Sequence, residues 1–109
     1  MGGAFLGEFE QVVLLAILQL GPDAYGVAVL CEIEERTGRR VSRGALYVTL
    51  DRLEQKGLLS SRLGKPTPAR GGRAKRYLSV SGEGLRALRA ERAALMSLWQ
   101  GLDEVLHER

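Results

Sequence analysis

The run Ser42-Arg43-Gly44-Ala45-Leu46-Tyr47-Val48-Thr49-Leu50-Asp51-Arg52-Leu53-Glu54, closed by Gly57-Leu58-Leu59, has the pattern of a helix that buries one narrow face. Leu46, Leu50 and Leu53 recur at spacings of four and three, so they stack on one side of a helix. Arg43, Tyr47, Asp51, Arg52 and Gln55 fall away from that stripe. Ser42 stands where an N-cap belongs, and Gly57 stops the helix after about Lys56. Ala45 occupies the position where a full capping box needs Glu or Gln.

Upstream, Glu8 to Leu20 is apolar nearly all round, as suits a helix touched on several sides at the centre of a small domain. Gly21-Pro22-Asp23 breaks it. A second helix is expected from about Ala24 to Thr37, stopped by Gly38. Val27, Leu30, Cys31 and Ile33 form its inward side, with Cys31 a small core residue, while Glu32, Glu34, Glu35 and Arg36 face out.

Downstream, Leu58 to Leu63 and Arg76 to Val80 read as two short strands joined by a loop rich in turn formers and cations. Ser81 can cap a last helix continuing to about Leu106, roughly 38 Å long. Leu85, Leu88, Leu95, Trp99, Leu102 and Leu106 follow a coiled-coil spacing interrupted by Arg92, and Met96, Leu98 and Val105 widen the stripe. The fold expected is mostly α with a small β-hairpin: a winged helix-turn-helix (residues 1–81) plus a long C-terminal dimerisation helix (residues 82–109), forming one structural unit.

At 109 residues, 45% apolar and 27% charged, the chain suits one modest core. The net charge is only +3, but it is sorted. Between Arg39 and Arg76 eleven Lys/Arg face two acids, a local balance of +9, and the remainder carries −6. Such sorting points to one basic face for a polyanion. No apolar run approaches a membrane span, and the first residues lack a signal-peptide core. A lone cysteine builds no internal disulfide, so the cytoplasm is the expected compartment. His107 has no companions at metal-ligand spacing, and no nucleophile–base constellation or phosphate loop is present. Neither an enzyme nor a cofactor or metal is expected.

In a winged helix-turn-helix the third helix enters the major groove, which makes double-stranded DNA the expected partner. Ser42, Arg43, Gly44 and Tyr47 lie on or near its first turn, where small residues and helix amides admit a phosphate. Arg43 can meet a base edge or a phosphate. Arg70, Arg73, Lys75 and Arg76 put four cations in the wing, to follow a minor groove or the backbone. Leu88, Leu95, Trp99, Leu102 and Leu106 are the candidate dimer seam, which would pair two copies and set two docking helices one DNA turn apart. Trp99, the one tryptophan, can also stack on a small planar aromatic effector between subunits. Two other functions fit the same architecture, a winged-helix protein-interaction module and a non-specific nucleic-acid binder. The first predicts no salt-sensitive DNA affinity, the second no sequence preference.

The quoted run from Ser42 to Leu59 resembles the core of the PadR family of transcriptional regulators. Gly71-Gly72-Arg73-Ala74-Lys75-Arg76-Tyr77-Leu78-Ser79-Val80-Ser81 looks like that family's wing and second strand, and Tyr25-Gly26 after Gly21-Pro22 like its first inter-helix turn. The likeness spans about residues 8 to 84. Ala45 departs from the family's usual Thr or Ser, and Lys65-Pro66-Thr67-Pro68 lengthens the wing loop. The short chain resembles the family's compact branch, with a single C-terminal dimerisation helix. The resemblance implies homodimers on near-palindromic operators, usually repressing and often released by a small molecule.

Overall fold

Three helices, a two-stranded hairpin, a longer helix and a short terminal one follow each other in the computed structural model, which describes residues 6–65 and 74–107. Helix α1 spans Glu8–Leu20 and buries Val13, Leu14, Ala16 and Ile17. Gly7 has no side chain with which to cap it. Glu10 reaches back instead, its Oε1 accepting the Gly7 N–H at 2.9 Å, which satisfies one orphan donor of the first turn.

Helix α2 spans Gly26–Thr37, two residues short of the expected start. Ala24 and Tyr25 are extended, because they pair with the hairpin: the Ala24 carbonyl accepts the Leu78 N–H at 2.9 Å, and Tyr25 bridges Tyr77 antiparallel. A long-range ladder bond outcompetes the helix there. The inward side of α2 also differs. Val29 and Ile33 are buried, whereas Cys31 is exposed and Val27 is 42% exposed, so Cys31 is not a core residue. Cys31 and Val27 both fall off the Val29–Ile33 face by which α2 packs into the core.

Helix α3 spans Arg43–Gln55, with the Ser42 hydroxyl accepting the Ala45 N–H at 3.0 Å. Leu46, Leu50 and Leu53 are fully buried against α1 and α2. Strands β1 (Leu59–Leu63) and β2 (Arg76–Val80) pair antiparallel, with Leu59 opposite Val80 and Leu63 opposite Arg76. Leu58, Leu59 and Leu78 close the core from the hairpin side.

Helix α4 (Gly82–Trp99) begins under a Ser81 cap, whose hydroxyl accepts the Gly84 N–H at 3.0 Å. The single long C-terminal helix expected from the sequence is two pieces. The chain turns through Gln100 and Gly101, where φ is 81°, and α5 covers only Asp103–Leu106. That φ lies where a side chain is disfavoured, so a glycine within the heptad pattern permits a break that the pattern conceals.

Candidate nucleic-acid interface

The first turn of α3 stands open. Ser42, Arg43 and Gly44 are exposed, and a Cβ placed on Gly44 would meet nothing within 4 Å. The Ser42 oxygen accepts the capping bond, leaving its O–H free to donate outward. Arg43 has no ion-pair partner among the described residues. Tyr47, one turn on, is 39% exposed and rests its hydroxyl against Gly26 at the start of α2. Val48 beside it is 56% exposed. Its one signal in the sequence is an apolar side chain outside the Leu46-Leu50-Leu53 stripe. An exposed Val beside a Tyr offers apolar contact to a thymine methyl.

The wing base is fixed on both faces of β2, whose side chains alternate. On one face, Arg76 Nη2 lies 2.6 Å from Glu54 Oε1 and 3.5 Å from Asp51 Oδ1. Arg76 therefore meets two acids of α3, unlike Arg43. On the other face, the Tyr25 and Tyr77 rings meet edge to face with centroids 6.0 Å apart. Lys75 Nζ sits 4.0 Å from the Tyr25 centroid, and the Arg62 guanidinium 4.8 Å from that of Tyr77. Arg70 and Arg73 lie outside the described residues.

Several carboxylates are held below the usual range. The Arg76 hydrogen bond does most for Glu54, with Ser61 adding to it. Arg39 does the same for Glu8 through a pair at 2.7 Å, while its guanidinium also covers Phe9. Burial alone would push Glu10 up, but Lys56, the Gly7 amide and Arg52 together outweigh it.

A second feature lies between α1 and α4. Leu15, Leu18, Leu85, Leu88, Leu95, Met96 and Trp99 line an apolar groove of about 530 Å³, edged by Gln11, Arg89 and Arg92. Trp99 is 47% exposed and Leu95 45%, whereas Leu88 is 8% exposed and mostly buried within its own chain. Leu102 and Leu106, beyond the break, are exposed at 42% and 57%. Arg92, for which Glu91, Glu104 or an acid of a partner chain is the candidate counter-charge, has no ion-pair partner within this chain among the described residues. Glu91 instead accepts the Leu6 N–H at 3.4 Å. No metal-binding cluster and no helix long and apolar enough to cross a membrane occur among the described residues.

A family model described as the transcriptional regulator PadR-like family matches residues 14–90, most of the chain. The chain belongs to this family. It is a DNA-binding transcriptional regulator built on a winged helix, and not an enzyme. A PadR family transcriptional regulator from Eggerthella lenta is similar at 30% identity, over 94% of this chain and 88% of that one, with a TM-score of 0.68. A PadR-like regulator from Bacillus cereus, at 20% identity and TM-score 0.72, covers 93% of each chain. A PadR family regulator from Clostridium difficile, at 21% identity and TM-score 0.70, is matched over 90% of this chain and 98% of its own. The last two speak for the fold alone. Among curated proteins none matches.

Proposed function

We propose that this PadR-family chain is a repressor that binds a near-palindromic operator as a homodimer and is released by a small aromatic effector. The open first turn of α3 carries the reading: Arg43, without an ion-pair partner among the described residues, stands beside Ser42, Gly44 and Tyr47 at a helix N-terminus, a combination suited to phosphate and base edges. Lys75 joins from the wing base, and Arg70 and Arg73 join on the sequence reading of the loop. Residues 1–81 supply this DNA-binding part and residues 82–109 the dimerisation part.

The homodimer is supported by the groove between α1 and α4. Leu95, Trp99, Leu102 and Leu106 leave an apolar stripe that a monomer would present to water, and a second copy covers it with the two-fold symmetry of a palindrome. Trp99 on the groove wall gives a planar aromatic a stacking face. Repression is the mode the family resemblance implies.

Fluorescence anisotropy tests this with the duplex upstream of the protein's own gene beside a scrambled duplex, at two salt concentrations. Tight, salt-sensitive binding to the first alone is the expected result. Equal binding to both would point to a non-specific binder, and no binding to either to a protein-interaction module.

A further inference from the structure

Glu54 sits on the last turn of α3, and both strands of the hairpin reach it. Ser61 on β1 donates its hydroxyl to Oε2 at 3.0 Å and Oε1 at 3.3 Å. Arg76 at the start of β2 donates Nη2 to Oε1 at 2.6 Å. One carboxylate thus accepts from each strand of the wing, and the recognition helix and the wing meet through it.

Charge counting along the sequence makes Arg76 a cation for DNA. The geometry gives that charge a partner, since the side chain is 30% exposed and held against a carboxylate. Glu54 itself is an acid on the helix proposed to dock, and on electrostatics alone it opposes a polyanion. Its hydrogen bonds give it a different task.

We propose that Glu54 is a positioning residue for DNA binding, bracketing both wing strands to α3 through Ser61 and Arg76 and so fixing the angle between helix and wing. Arg76 acts through Glu54 and not on phosphate. This rests on the DNA-binding reading above and deepens it. The Tyr25–Tyr77 contact secures the other face of β2, so the bracket sets the angle of a wing already anchored at one side.

The discriminating feature is a sign. Removing an acid from a DNA-facing surface strengthens binding if charge is all that matters, and weakens it if the acid positions the wing. The probe is a duplex that the parent protein selects from a randomised pool, measured by anisotropy across a range of salt. Glu54→Ala is expected to lower affinity about tenfold, the loss of roughly one charge-assisted hydrogen bond. The slope of log affinity against log salt stays at the parent's value, because no phosphate contact is lost. Asp51→Ala removes an acid that lies 3.5 Å from Arg76 without a hydrogen bond, and leaves affinity equal or tighter. Arg76→Lys keeps a cation for Glu54 and recovers most of what Arg76→Ala loses. Binding by Glu54→Ala as tight as the parent's would overturn the proposal, as would a salt slope reduced by about one phosphate contact in Arg76→Ala. A parent protein that selects no duplex would overturn the DNA reading itself, whereas a parent that binds beside an unimpaired Glu54→Ala overturns the bracket alone.

Discussion

The Tyr47 hydroxyl stands so close to Gly26 that a Cβ built on that glycine would lie 2.2 Å from the oxygen. Helix α2 begins where it does, with Gly26 buried in its first turn, and the ring of α3 uses the space a side chain would fill. The contact links the two helices of the helix-turn-helix through an exposed aromatic.

Gly26→Ala is therefore expected to displace the Tyr47 ring while preserving the fold. The atom in the way is the far end of a partly exposed side chain, which can swing out, so the thermal midpoint should shift by only a few degrees, about 1 kcal/mol or less. Operator affinity should fall several-fold, because the ring leaves its seat beside Arg43 and Val48. A double-mutant cycle checks the cause: Gly26→Ala should weaken binding in the parent and do nothing further in Tyr47→Ala. Additive losses would mean that Gly26 acts through some other contact.

The Glu10–Lys56 pair predicts an acid-sensitive stability. Lys56 Nζ lies 2.9 Å from Glu10 Oε2 and 3.1 Å from Oε1, tying the first turn of α1 to the end of α3. The Glu10 carboxyl is 8% exposed and its pKa lies below the ordinary 4.5. A depressed carboxylate stabilises the fold fully above its unfolded-state value, and that contribution disappears as pH falls through the lower folded-state value. Urea midpoints between pH 7 and pH 3 should therefore fall more steeply for the parent than for Glu10→Gln. At pH 7 the substitution should cost about 1–3 kcal/mol, since Lys56 and the Gly7 amide lose a charged acceptor. Parallel curves would show that the pair adds nothing.

What the sequence disclosed and what it hid follow from the range of the forces involved. Leu46, Leu50 and Leu53 were legible because a helical stripe is a local pattern, and all three are fully buried. The start of α2 was not, because Ala24 is held extended by Leu78, far along the chain. Cys31 looked like core because its neighbours are apolar, yet it falls off the Val29–Ile33 face that packs into the core. Gly101 broke a helix whose apolar spacing runs on through Leu102 and Leu106, so periodicity overruled a glycine that should have counted. The Arg76–Glu54 pair was hidden as well, because its two residues lie 22 positions apart in the chain.

Arg43→Ala should weaken operator binding about tenfold or more while leaving the oligomeric state and melting temperature unchanged. Its role is decided by the form of the loss. A phosphate contact lowers affinity for every duplex alike and reduces the salt slope by about one. A base contact relaxes preference at one operator position, costing about 1–3 kcal/mol there. Binding equal to the parent's would show that the first turn of α3 does not dock.

The apolar groove makes the last prediction. Leu95 is 45% exposed on its wall, so Leu95→Asp should be soluble and folded as a single chain, with the core residues of α1, α2 and α3 untouched. If a second copy covers the groove, a carboxylate there is buried without a partner, at a cost of several kcal/mol for each of two symmetry-related sites. Arg92 on the same groove could answer one such charge, so Leu95→Asp with Arg92→Ala is the sharper variant. Sedimentation should show a dimer for the parent and a monomer for the double variant. Operator affinity should fall with it, because a monomer holds only one half-site. A double variant that stays dimeric would place the interface elsewhere, on a surface that leaves Leu95 in water.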